Sequence, residues 1–249
     1  MTEKYSYEMI ENNLATIRTR IVAAAREVGR DPKDVKLLAA TKTVEVDTIN
    51  FAISRGVRYI GENRVQELLE KYDRLDLANA ELHFIGRLQT NKVKYIVDKV
   101  SLIHSVDSLR LAAEIDRQAA KHDKRMDILV EVNAANEESK GGVAYDEVYA
   151  LLEGMAALPH IHVVGLMTIP PRLVLSPETE NKDSCSEKVY KNKEYFRKIS
   201  HLFLDISEKK LDNIDMYELS AGMSDDYDEA VRNGATIVRP GRALFGERH

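Results

Sequence analysis

Eight short apolar runs of strand character, each followed by a polar or helix-periodic stretch, constrain this chain more than any other feature. The runs are VKLLAATK (35–42), YIGE (59–62), LHFIGR (82–87), LIHSVD (102–107), DILVEV (127–132), VVGLMT (163–168), MYELSAG (216–222) and TIVRPG (236–241). Several are almost continuously apolar, as expected of parallel strands buried on both faces. Helical period lies between them at Val65, Leu68, Leu69 and Tyr72, then at Val93, Ile96, Val97 and Val100. It returns at Leu111, Ala112, Ile115 and Ala119, at Val148, Leu151, Leu152 and Met155, and at Phe196, Ile199, Phe203 and Ile206. Strands alternating with helices imply βαβ units and a parallel sheet with right-handed crossovers. Eight of them predict an α/β fold of the (β/α)8 TIM-barrel type, with an open doubly wound sheet as the competitor.

An extra helix precedes the first strand. Ile10, Leu14, Ile17, Ile21, Ala24 and Val28 share one helical face, and Gly29 and Pro32 stop it. The 249 residues suit one barrel domain over 1–249. A formal net charge of −5 leaves no broad basic footprint, which argues against nucleic acid or anionic membrane as a partner. The N-terminal MTEKYSYEMIENN is too polar for a secretory segment, and no run approaches the roughly 18 apolar residues of a membrane span. A single cysteine, Cys185, permits no intrachain disulfide. Together these predict a cytoplasmic protein. The stretch 170–186, PPRLVLSPETENKDSCS, reads as a long loop after the sixth strand, more a surface insertion than a lid.

In a parallel barrel the site lies at the C-terminal ends of the strands. The polar residues there are Lys42, Glu62 and Asn63, Arg87, Ser105 and Asp107, Asn133, Thr168, Ser220 to Ser224, and Arg239 to Arg242. Lys42 directly follows LLAAT, so the first strand puts an amine at an apolar mouth. Desolvation there favours the free amine, a Schiff-base nucleophile. The structural alternative is a rim lysine paired with Glu62. After strands seven and eight come SAGMSDD and RPGR, two small-residue turns of the sort that bring backbone N–H groups to a phosphate. Each could instead be an ordinary turn with a serine cap. Opposite a strand-one lysine, the pair points to a phosphorylated aldehyde. Arg239 lies beside the second turn, with pairing to Glu218 as its structural alternative. No zinc spacing links His83, His104, His160 and His162, and no dinucleotide or P-loop motif is present, so no metal site is expected.

The segments LLAATKTVEVDTI, GENRVQELLEK, HFIGRLQTNKVKYI, IHSVDSLRLA, VEVN, VVGLMTI, LSAGMSDDYDEAVRNGAT and VRPGRALFGER extend from Leu37 nearly to the end. Through them the chain resembles the pyridoxal phosphate homeostasis protein family, whose fold is that of the alanine racemase barrel domain. The resemblance implies that Lys42 carries pyridoxal 5′-phosphate (PLP) as a lysine aldimine. It implies that Arg239 faces the pyridine nitrogen, opposing its protonation and weakening the electron sink. Ser220, Ser224, Gly241 and Arg242 would surround the phosphate, largely through backbone N–H groups. Asn63, His83, Asn133 and Met167 fall in motifs lining the same mouth. Ala221 stands where the family usually has methionine, and Pro240 where it usually has an aliphatic residue. Pro240 has no N–H, which leaves the Gly241 and Arg242 amides to hold the phosphate.

Three functions compete. The first, implied by the resemblance, is a PLP carrier acting in PLP homeostasis or delivery to PLP-dependent apoenzymes, without robust catalysis. The second is a PLP-dependent, racemase-like enzyme. The third is a cofactor-free Schiff-base aldolase. A two-base racemase needs a second domain that supplies a tyrosine and a dimer surface, and the sequence as far as His249 contains none. The expectation is therefore a monomeric carrier with no catalytic residue of its own.

Overall fold

The computed structural model describes residues 6–134, 141–170 and 182–247, with the backbone alone for 182–191. The first helix, α1 (Tyr7–Glu27), is capped by the Ser6 hydroxyl and buries Ile10, Leu14, Ile17, Ile21 and Ala24. Gly29, at φ +72, ends it: the Gly29 and Arg30 amides turn back to the Arg26 and Ala25 carbonyls. Val28 is the C-cap rather than part of the buried stripe, and it stays 43% exposed.

The barrel strands are β1 (Lys36–Ala40), β2 (Tyr59–Glu62), β3 (Glu81–Phe84), β4 (Leu102–Val106), β5 (Met126–Asn133), β7 (Ile161–Thr168), β8 (Ile214–Ser220) and β9 (Ile237–Val238). All pair in parallel, and β1 pairs with β9, so the ring closes. That closure rules out the open sheet. A two-residue strand the sequence did not signal, β6 (Val143–Ala144), pairs with β5 outside the ring. Gly165 sits where the β7–β8 register shifts, and any Cβ there would lie 1.7 Å from the Glu218 carbonyl oxygen. This bulge therefore requires glycine.

Around the ring lie α2 (Val46–Ser54), α3 (Val65–Tyr72), α4 (Leu109–Ala120), α5 (Val148–Met155), α6 (Lys182–Ser207), α7 (Tyr227–Arg232) and α8 (Arg242–Phe245). Their apolar faces and the outward strand residues make one core, while Leu38, Leu102, Leu129, Val164, Met167 and Ile237 fill the barrel interior. Two expectations need correction. The segment around Val93–Val100 is not an α-helix: it winds as a 3-10 turn over Thr90–Tyr95. Its four apolar residues are still buried, and the Lys124 ammonium takes up the Val97 and Val100 carbonyls at 3.1 and 2.6 Å. The supposed loop 170–186 is already helical from Lys182, which puts the Cys185 backbone on α6; residues 171–181 lie outside the described residues. Among the described residues no helix is long and apolar enough to cross a membrane.

Candidate functional site

The side chains of Leu38 and Ala40 point inward along β1, and Lys42 continues that alternation to the barrel mouth. The turn holding Lys42 is clamped on both sides. Lys71 of α3 donates to the Thr41 carbonyl at 2.9 Å, and the Thr43 amide donates to Glu67. Thr43 adopts φ 63, a conformation disfavoured for a β-branched residue, and this clamp holds it there. Lys71 also bridges Glu62 (2.8 Å) and Glu67 (2.6 Å), while the Thr41 hydroxyl donates to Glu62 at 2.7 Å. The carboxylate that the sequence offered to Lys42 is thus engaged by Lys71. Burial raises the Glu62 pKa despite the opposing bonds from Lys71 and Thr41.

Lys42 opens on a cavity of about 360 Å3. Asn63, Ser224, Arg239, Gly241 and Arg242 line it too, so six of the ten expected residues meet in one place. Opposite the lysine, the Gly241 and Ala243 amides converge on the Ser224 hydroxyl at 3.2 and 3.0 Å. Arg242 lines the same cavity, and its side chain pairs with Asp225 and Glu247. The Pro240 carbonyl accepts the Ala40 amide at 3.1 Å and extends the β1–β9 ladder. A Cβ on Gly241 would crowd Ala40, at 3.2 Å from its carbonyl oxygen and 3.3 Å from its Cβ.

Arg239 forms the buried wall. It donates to the Ser220 hydroxyl at 2.6 Å and to the Thr168 carbonyl at 2.9 Å. Glu218 is taken by Lys36 and Thr236, so the structural alternative for Arg239 is not realised. Burial pulls the Arg239 pKa down to about 10, with Glu131, Asp226 and Tyr195 opposing the fall. Ser220 lies beneath this arginine and bonds His104 Nδ1 at 2.9 Å; His104 Nε2 meets His83 Nδ1 at 3.0 Å. Burial lowers the pKa of both imidazoles, His104 the more strongly.

Besides Ser220, three expected residues do not line the cavity. His83 is buried in the lumen beside His104, Met167 packs among the lumen apolar residues, and Asn133 borders a smaller cavity of about 190 Å3 that shares Ile169. That neighbouring cavity holds Glu131, which the sequence reading missed. Burial and Asp107 push its pKa up to about 7, with Arg239 and Arg87 opposing. The strand period could have flagged it, since Glu131 shares its face with Leu129 and Asn133. Ile85, Met223 and Asp225 were likewise missed as lining residues. Among the described residues no cluster of potential metal ligands occurs.

The chain matches the alanine racemase N-terminal domain family over residues 9–249. It is 44% identical over 235 residues to the pyridoxal phosphate homeostasis protein of Aquifex aeolicus, covering 94% of this chain and 96% of that one. The Escherichia coli K12 protein of the same name is 36% identical over 242 residues, covering 96% and 97%. Among solved structures, PipY of Synechococcus elongatus with PLP bound superposes with a TM-score of 0.77 at 30% identity, covering 95% of this chain and all of that one. Alanine racemase from Corynebacterium glutamicum gives a TM-score of 0.64 at 16% identity, a likeness of fold.

Proposed function

The chain belongs to the pyridoxal phosphate homeostasis protein family, and from that we propose that it binds pyridoxal 5′-phosphate over Lys42 and works in PLP homeostasis. One observation carries the reading: a strand-end lysine and the small-residue turn of Ser224 and Gly241 line one cavity walled by a buried arginine. The residues present fit the cofactor. The cavity of about 360 Å3 falls in the range for small ligands. Ser224, Gly241 and Arg242 give this wall a hydroxyl, a small-residue turn and a cation that suit an anion, and the close approach at Gly241 leaves little room for a side chain there.

When bound, PLP supplies an electrophilic aldehyde and a ring that can absorb electrons. Lys42 presents its amine to that aldehyde. The turn at Ser224 and Gly241 would hold the phosphate, and Arg239 would lie at the ring nitrogen, where its charge would oppose protonation. Asn63, on the cavity wall, would meet the ring edge. Ser220 steadies Arg239 from below, and Met167, His83 and Asn133 act only through the shape of the lumen around this group. The protein serves as a monomeric cytoplasmic carrier that passes PLP to PLP-dependent apoenzymes and has no efficient turnover of its own.

The test is the absorbance spectrum of protein loaded with PLP, followed by borohydride reduction and peptide mapping. A visible band and a single reduced adduct on the Lys42 peptide are expected, both lost in Lys42→Ala. A Lys42→Ala protein that keeps the same spectrum overturns the assignment.

A further inference from the structure

Two segments that carry the family resemblance, GENRVQE and HFIGRLQTNK, contribute only Asn63 and Ile85 to the cavity over Lys42. Their remaining polar residues meet elsewhere. The loops after β2, β3 and β4 enclose a second, larger cleft of about 570 Å3 beside the first, and Asn63 is the wall between them.

The cleft is strongly cationic. Arg64, Arg87, Lys92 and Arg110 line it, against the single carboxylate of Asp107. Among the described residues, none of the three guanidiniums makes an ion pair or a hydrogen bond; Lys92 reaches only the Gln66 amide oxygen, at 3.3 Å. Arg87 does influence Glu131, lowering its pKa, while Asp107 raises it. Elsewhere in the same chain arginines are matched to carboxylates: Arg20 with Asp228, Arg117 with Glu114, Arg232 with Glu27 and Arg242 with Asp225. An acidic protein that gathers three uncompensated guanidiniums in one concavity has built a local potential opposite in sign to its net charge.

The backbone adds to this field. α3 and α4 both begin at the cleft, at Arg64 and Ser108, and neither N-cap side chain bonds its helix. The first turn of α4 carries no acidic residue. The one in α3, Glu67, is spent on Lys71 and the Thr43 amide. Free N–H groups and positive dipole ends therefore face the same space as the guanidiniums, whose planar forks suit carboxylate or phosphate oxygens.

We propose that this cleft binds a small polyanion, a molecule carrying two or more phosphate or carboxylate groups, next to the cavity over Lys42. The site is separate from that cavity and does not depend on what fills it. With Asn63 shared, the bound anion lies one side chain away from the other ligand.

Calorimetric titration with inorganic pyrophosphate, and in parallel with citrate, tests the proposal on the full chain with and without added PLP. Saturable binding of at least one probe is expected in both states, weakening as salt is added. Arg87→Gln and Arg110→Gln should each weaken it about tenfold, the loss of one charge-assisted contact. Arg197→Gln, an exposed arginine on α6, should leave it unchanged. Thermal melts of the variants confirm folding, which these exposed substitutions should not disturb. Binding that PLP abolishes and that ignores Arg87→Gln and Arg110→Gln would put the anion in the cavity over Lys42 and overturn the proposal. The absence of saturable binding of either probe up to about 10 mM would overturn it as well.

Discussion

The Lys71 ammonium donates to the Thr41 carbonyl at 2.9 Å, so a lysine on α3 fixes the backbone one residue before the lysine that faces the cavity. It also pairs with Glu67 and with Glu62, the latter a carboxylate with no solvent exposure whose Oε2 has no hydrogen-bond partner. Removing Lys71 would leave that charge uncompensated. Lys71→Met should cost about 3–5 kcal/mol in denaturant unfolding at neutral pH. The pH dependence has a definite sign. The folded pKa of Glu62 is already raised, and the variant raises it further, so the deficit should shrink as the pH falls and Glu62 is protonated. A Lys71→Met/Glu62→Gln pair should recover part of the loss at neutral pH. A deficit that is the same at pH 5 and pH 8 would show that Glu62 is not its source.

Glu131 gives a second pH test. Its pKa rises from 4.5 to about 7 on folding, so the unfolded chain releases this proton first as the pH increases. Its contribution is neutral below the unfolded value and grows unfavourable through the window from 4.5 to about 7, reaching about 3 kcal/mol above it. Glu131→Gln should therefore raise the urea midpoint at pH 8 and leave it nearly unchanged near pH 4. Equal midpoints for the two proteins at pH 8 would contradict the shift.

Lys42, Gly241 and Ser224 were legible in the sequence because each follows from local pattern: a lysine ending an apolar strand, and small residues in a βα turn. The lumen network was not. His104 and Ser220 are 116 positions apart, and only closure of the barrel brings them to 2.9 Å. Its motif places His83 at the mouth, yet on β3 it bonds His104 in the lumen, and Ile85, just past the strand, lines the cavity instead. Lys71 carries no sequence signal of its role under β1. Nothing in its neighbours shows that α3 folds its ammonium back under β1. The 3-10 turn at Thr90–Tyr95 has the same apolar spacing as a short helix, so periodicity could not separate them.

The lumen network has one direction that suits both of its ends. Glu81 can only accept, so His83 carries its proton on Nε2 and accepts at Nδ1; at the other end Arg239 only donates, so Ser220 accepts from it and is free to donate its own proton to His104 Nδ1. His104 in this arrangement carries its proton on Nε2 and donates to His83 Nδ1, with His83 Nε2–H facing Glu81 at 3.7 Å. Nitrogen-15 NMR should find both histidines neutral with the proton on Nε2 at pH 7, in line with their lowered pKa values. Ser220→Ala breaks the chain at its centre and should cost about 1–3 kcal/mol of stability. It should also weaken PLP retention by loosening Arg239, whereas a Ser220→Ala protein with unchanged PLP affinity would limit Ser220 to a structural role. A proton on Nδ1 of His104 would contradict the chain itself.

Arg239 also bears on turnover. A PLP enzyme needs a base over the substrate Cα–H bond and a ring able to take up the carbanion. With a pKa of about 10, Arg239 stays charged at neutral pH, and a cation at the ring nitrogen resists the ring protonation that would deepen the electron sink. Tyr195 is spent on Thr168, its hydroxyl lying 2.6 Å from Thr168 Oγ1, and among the described residues no tyrosine lines the cavity. Loaded with PLP and mixed with L- or D-amino acids, the protein should exchange α-protons more slowly than about 1 per second, the lower end of ordinary enzyme turnover. Proton NMR in deuterated water measures this directly. Arg239→Glu replaces the opposing cation with a group that favours ring protonation, and should both shift the absorbance band and speed the exchange. Wild-type exchange at an ordinary enzymatic rate with any common amino acid would replace the carrier reading with a racemase-like one. An Arg239→Glu protein with the wild-type spectrum and PLP affinity would show that Arg239 does not face the ring.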